Sequence, residues 1–161
     1  MEAIELDIVF HLETLGTDLE NLLEERFQHA AQWLVEKFKL ESLQLSIAVV
    51  DDPTIHQLNR EQLNHDWPTD VISFGFDPAP LASGEIIASW DTAERLSEKA
   101  GWRPADELVL YAVHGMLHIV GLDDLDDESR MIMRQHEFEY LKYAKIPGYE
   151  NYLARFDDVS Y

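Results

Sequence analysis

The chain has no cysteine, only 12 lysines and arginines against 32 acidic residues, and no apolar run approaching the roughly 18 residues that a membrane-spanning helix requires. The missing cysteine excludes thiolate metal ligands and a cysteine nucleophile, and it agrees with a reducing compartment. The shortage of basic residues leaves a net charge of -20, which repels phosphate backbones and anionic membranes. A nucleic-acid role therefore needs a local basic cleft, a bound cation or a basic protein partner. The first ten residues, MEAIELDIVF, carry acids where a secretion signal needs a basic start, which predicts a cytoplasmic protein without a membrane segment.

What remains is a chain of 161 residues with a hydrophobic fraction of 46%, enough for one domain over residues 1–161 with its own core. Residues 4–12 alternate partly between apolar and polar, as a half-buried strand does. Thr17 and Glu20 form a capping-box pattern ahead of Leu19, Leu22, Leu23, Phe27, Ala30, Leu34 and Phe38, which repeat at helical spacing. The run 43–50 is rich in β-branched residues and predicts a central strand. Asp52 as cap and Pro53 as first residue predict a second helix that ends before Trp67 and Pro68. A short strand over 71–74, a Gly- and Pro-rich loop over 75–84 and a strand over 84–90 follow. Asp91 and Glu94 predict another capped helix that stops near Gly101. Two more helices begin after Pro104 and at about Asp126, the latter running to Ala144. The sum is an α/β (α+β) fold: a small mixed sheet of about four strands covered by about five helices.

The chemistry concentrates in HGMLHIVGLDD, from His114 to Asp124. His114 and His118 lie four apart and share one helical face, so both imidazoles can reach one metal ion. Gly121, at +7, permits a reversal of direction, and Asp124, at +10, returns a carboxylate toward the pair. This is the offset pattern of the metzincin zinc proteases, a metalloprotease-like helix-turn metal site. Gly115 stands where a peptidase carries its general-base glutamate, which argues against peptide hydrolysis. The acidic run 123–128 lacks the glycine spacing and terminal glutamate of a Ca²⁺ loop.

The same stretch resembles the bacterial YbeY-type endoribonucleases and rRNA maturation factors, whose signature runs approximately HGxLHLxGYDH. A second family block, approximately LNxxYRxxDxPTDVLSF, has its counterpart in LNREQLNHDWPTDVISF, with Asn59, Asp66, Pro68, Thr69, Asp70, Ser73 and Phe74 matching. The family's LGDI segment appears as SGEI, from Ser83 to Ile86. The resemblance implies one Zn²⁺ held by His114, His118 and Asp124, with the third family histidine replaced by aspartate. It implies hydrolysis of phosphodiester bonds in a single-stranded rRNA precursor, and ribosomal small-subunit proteins and an assembly GTPase as partners.

Two departures matter. Gln62 and Leu63 occupy the family's Tyr-Arg position, with Arg60 nearby, so an arginine associated with RNA function is missing there. An anionic ligand at Asp124 also lowers the charge of the site and makes metal-bound water less acidic. A non-catalytic ribosome-assembly factor with a structural metal is the alternative reading, and a zinc metallopeptidase stands behind it. Asp123 is read as a helix cap with a place behind the ligands as its alternative; Asp70 as an acceptor for backbone N–H groups or a cleft residue; Glu85 and Asp123 as candidate bases. His65, His136 and Glu137 are read as solvated polar residues with a cleft role as the alternative. Trp67, Trp90 and Trp102 are read as core side chains in preference to base-stacking ones.

Overall fold

A computed structural model of the chain describes residues 4–63, 69–150 and 152. The elements run β1 (Ile4–Phe10), α1 (Thr17–Phe38), β2 (Ser42–Val50), α2 (Asp52–Leu63), β3 (Val71–Asp77), β4 (Leu81–Ser89), α3 (Trp90–Ala100), α4 (Pro104–Ile119) and α5 (Asp127–Tyr143). The strands form one mixed sheet in the order β1-β2-β4-β3, with β1, β2 and β4 parallel and β3 antiparallel to β4. The α/β expectation of about four strands and five helices matches this architecture among the described residues.

Strand alternation decides which face of the sheet is covered. Ile4, Leu6, Ile8 and Phe10 of β1 and Leu43, Leu45, Ile47 and Val49 of β2 point into the main core, while Glu5, Asp7, Gln44 and Ser46 point away from it. On the core side lie α1, through Leu23, Phe27, Ala30 and Leu34, and α4, which is buried along nearly its whole length. The amphipathic α2 covers part of the other face, where Ile55 packs with Val50, Ile72 and Ile87. Gly115 of α4 sits on the Ile86 side chain so closely that a Cβ there would lie 3.0 Å from it. That contact seats the C-terminal half of α4 on β4.

Several local expectations need correction. The Thr17–Glu20 capping box is not made: Gly16 is the N-cap, no side chain caps the helix, and Glu20 N–H donates to Gly16 O. Asp51, not Asp52, caps α2, its carboxylate accepting from Thr54 N–H at 2.9 Å. Ser89, not Asp91, caps α3, accepting from Thr92 N–H at 3.2 Å, while Asp91 accepts from Asp52 N–H at 2.8 Å. At Asp52 and Asp91 the physical reason is shared: a side chain with a tertiary donor in reach gives up its local cap. Most of the expected loop 75–84 is strand, because pairing of β3 with β4 continues to Asp77 across a register shift after Gly75. No helix among the described residues is long and apolar enough to cross a membrane.

Candidate metal centre

Helix α4 begins with Pro104 at its first position and ends at a left-turning glycine, an arrangement that places its last turn beside the loop that follows. Gly121 has φ +117, a value that side-chain-bearing residues rarely adopt. Gly121 N–H donates to His118 O and Leu122 N–H donates to Leu117 O, so the helix closes and the chain turns back. The returning loop is tied down at three points. Asp123 accepts from Leu125 N–H at 3.3 Å, Arg130 donates to Asp124 O at 3.1 Å, and Asp126 caps α5 by accepting from Ser129 N–H at 2.7 Å.

This arrangement brings His114, His118 and Asp124 together, each half-buried. His114 Nε2 and His118 Nε2 are 3.0 Å apart, and Asp124 Oδ2 lies 3.5 Å from the first and 3.4 Å from the second. Three donors of a tetrahedral Zn²⁺ with bonds of about 2.1 Å are themselves separated by about 3.4 Å, so the triangle is of the right size. The outer ring atoms explain why these nitrogens face one another. His118 Nδ1–H donates to Leu122 O at 2.9 Å; a carbonyl has no proton to give, so the ring proton sits on Nδ1. His114 Nδ1–H donates to Glu137 Oε2 at 2.8 Å, and Glu137 Oε1 accepts from Tyr152 OH. Both Nε2 atoms are thereby left as lone-pair donors aimed at one point with a carboxylate oxygen. A proton on one of the nitrogens or a metal ion between them answers all three.

The electrostatics agree. Burial disfavours a charged His114, but Asp124 and Glu137 beside it, helped by Asp70, outweigh burial and push its pKa up to about 10. Hydrogen bonding to His114 holds the Asp124 carboxyl below the usual range against partial burial. A proton therefore takes the place that a metal ion fits. The exposed fractions of the three side chains, 27%, 26% and 38%, leave one side open to solvent, as a catalytic site with a vacant coordination position requires.

The remaining sequence candidates fall elsewhere. Asp123 is exposed and its carboxylate closes a turn. Asp70, just before β3, accepts from Val71 N–H at 2.8 Å and from Thr69 Oγ1–H at 3.2 Å, and its charge still reaches His114. Glu85 alternates with Ile86, whose side chain lies under Gly115 of α4, so Glu85 points to the opposite face of the sheet. His136 is half-buried beside Phe38 and lies outside the cluster. Trp90 and Trp102 are buried, and Trp102 Nε1–H donates to Glu107 at 2.8 Å. His65, Asp66, Trp67 and Pro68 lie outside the described residues. Glu137 is the main correction: read as solvated, it is 3% exposed and holds the ring of His114. Its signal was its place between Met133 and Leu141 on the buried stripe of α5.

The described residues define an α/β protein whose central helix and returning loop offer two imidazoles and one carboxylate as candidate ligands of a metal ion. The family model described as endoribonuclease YbeY matches residues 11–145, and the chain belongs to that family. The endoribonuclease YbeY of Rhodopirellula baltica is 48% identical over 105 residues, covering 63% of this chain and 54% of that protein. This match thus spans about half the length of that relative. The endoribonuclease YbeY of Halalkalibacterium halodurans is 34% identical over 149 residues, covering 83% of this chain and 92% of its own. The solution structure of TM1509 from Thermotoga maritima superposes with a TM-score of 0.56 at 20% identity, covering 89% of this chain and 94% of that one, a likeness of fold.

Proposed function

We propose that the chain is a metal-dependent endoribonuclease that cuts single-stranded rRNA precursors in the cytoplasm during maturation of the small ribosomal subunit. His114, His118 and Asp124 would hold one Zn²⁺. The observation that carries the reading is the convergence of two lone-pair Nε2 atoms and Asp124 Oδ2 at 3.0 to 3.5 Å, with both Nδ1 protons already committed. When bound, the metal supplies a Lewis acid for a phosphoryl oxygen and a water of lowered pKa. The chain's own residues do the rest. Leu122 O and Glu137 fix the tautomers, Gly121 returns Asp124 to the helix end, and the Arg130 bond to Asp124 O holds that loop. Gly115, packed on Ile86, offers no group for proton transfer, so peptide hydrolysis has no base where the metzincin pattern puts one.

The net charge of -20 and Leu63 at the family's arginine position favour one second reading. In it the chain is a non-catalytic assembly factor that meets basic small-subunit proteins and an assembly GTPase, and the metal serves folding.

Metal analysis coupled to cleavage of an end-labelled single-stranded RNA separates the two. The expected result is one Zn²⁺ per chain, cutting abolished by a chelator and restored by added Zn²⁺, and no cutting by His118→Ala. Stoichiometric zinc without metal-dependent cutting puts the assembly-factor reading ahead. A chain that binds no metal overturns both.

A further inference from the structure

The two histidines are braced in different ways. His118 leans on a neutral backbone carbonyl in its own loop, whereas His114 leans on a carboxylate from another helix, and that carboxylate is itself held by a tyrosine after α5. Glu137 is 3% exposed and Tyr152 fully buried. A carboxylate is costly to remove from water unless its oxygens are occupied, and here one oxygen takes the imidazole N–H and the other the phenol O–H. The Tyr152 ring belongs to a satellite core with Ala100, Trp102, Leu110, Leu141 and Ile146, separate from the main core under the sheet. Phe138, the neighbour of Glu137 on α5, packs against Tyr152 with ring centroids 6.1 Å apart. The satellite core thus fixes the phenol, the phenol fixes the carboxylate, and the carboxylate fixes the ring of His114.

We propose that Tyr152 and Glu137 are positioning residues for His114, so that the turn after α5 is a working part of the metal centre. The inference rests on the reading that His114, His118 and Asp124 hold a metal. Without Glu137 the His114 ring is free to rotate or to change tautomer, and Nε2 is no longer held as a lone-pair donor facing His118. Without the Tyr152 hydroxyl, Glu137 keeps its place on α5 but loses the bond that selects which oxygen meets the imidazole. The effect should be graded along the chain of contacts, strongest at Glu137 and weaker at Tyr152.

The test is zinc affinity of the full chain, measured by competition with a chromophoric chelator, with thermal unfolding of the metal-free protein beside it. Outer partners of metal ligands are worth about 10- to 100-fold in affinity. Glu137→Ala should lose about 100-fold, Glu137→Gln, which keeps a carbonyl acceptor for Nδ1–H, should recover to about a 10-fold loss, and Tyr152→Phe should lose several-fold. Tyr152→Phe keeps the ring and its packing but leaves one oxygen of the buried Glu137 carboxylate without its donor, so its metal-free unfolding midpoint should fall modestly, and affinities are compared where both proteins are folded. His118→Ala, which leaves the Tyr152–Glu137–His114 contacts in place, should abolish stoichiometric binding. If His118→Ala loses zinc while Glu137→Gln and Tyr152→Phe bind it as the parent does, the positioning role is wrong and the metal site stands. If His118→Ala binds zinc as the parent does, the metal site is wrong and the positioning role falls with it.

Discussion

Two carboxylates, Asp52 at the junction of α2 and α3 and Asp124 at the end of α4, sit in polar networks of similar size and opposite character. Asp52 is surrounded by groups with protons to give: Ser89 Oγ–H at 2.7 Å, Thr92 Oγ1–H at 2.8 Å and the Arg95 guanidinium. Burial alone would raise its carboxyl, but these donors outweigh burial and hold it below the usual range. Asp124 faces two imidazole nitrogens whose ring protons are spent on the far side, at Leu122 O and Glu137. The first network is complete within the chain and fastens two helices. The second turns two imidazole nitrogens and a carboxylate oxygen toward one point, a donor set that suits a cation. The difference is one of proton inventory, and it separates a structural carboxylate from a ligand more sharply than burial or acid count does.

Removing one member of each network breaks the comparison if the reading is wrong. The largest effect belongs to His118→Ala: stoichiometric Zn²⁺ binding, measured by metal analysis after dialysis, should be lost, because two remaining ligands do not make a site. Next is pH. In the metal-free chain His114 has its pKa pushed up to about 10 from the ordinary 6.5. Its contribution to stability is therefore fully present below pH 6.5 and is lost as pH rises through about 10. Zinc affinity runs the other way, since one proton must leave His114 for the metal to enter. It should climb by about tenfold per unit between roughly pH 7 and 9, read by chelator competition. A flat profile would mean that His114 is not a ligand.

Asp52→Ala should act on stability alone. The Ser89 hydroxyl is buried and would lose its acceptor, whereas the Arg95 partner is largely exposed and counts for little. The expected loss is about 2 kcal/mol in denaturant unfolding of the metal-free chain, with zinc affinity unchanged. A fall in zinc affinity of the same size would show that the two networks are one.

How much of this was legible in the sequence depends on the reach of the interaction. Periodicity, helped by cap, proline and turn signals, located every described element, with β3 read three residues short. The convergence of His114, His118 and Asp124 was legible because, with Gly121, they span one helix end and one turn, so local geometry places them together. Caps were misassigned wherever a distant partner competed. Asp52 and Asp91 look like helix caps in sequence, yet Asp52 turns to Ser89, Thr92 and Arg95, and Asp91 turns to the Asp52 backbone. Glu137 was missed because its partner lies 23 residues away and only the packing of α5 beside α4 joins them. Glu85 was offered as a base because SGEI follows the family pattern, but a strand shows alternate residues to opposite faces, and the face of Glu85 is the one without α4.

The smallest effect tests the residue at which this chain departs from the family signature. Asp124→His should keep one Zn²⁺ per chain, since three imidazoles make a good zinc site. What should change is the pH scale. The Asp124 carboxylate is the strongest of the groups that favour protonated His114, and exchanging it for a neutral ring removes that support while leaving Glu137 in place. The proton then leaves His114 at lower pH, so the rise of zinc affinity with pH should move to the acid side by about one unit. The same exchange raises the net charge at the metal, makes bound water more acidic and should move the pH of half-maximal RNA cleavage in the same direction. Coincident shifts of affinity and cleavage would place Asp124 among the ligands. A shift of neither would leave it as a second acceptor for the His114 proton, and the centre would then resemble the Asp52 junction, with every lone pair answered from within the chain.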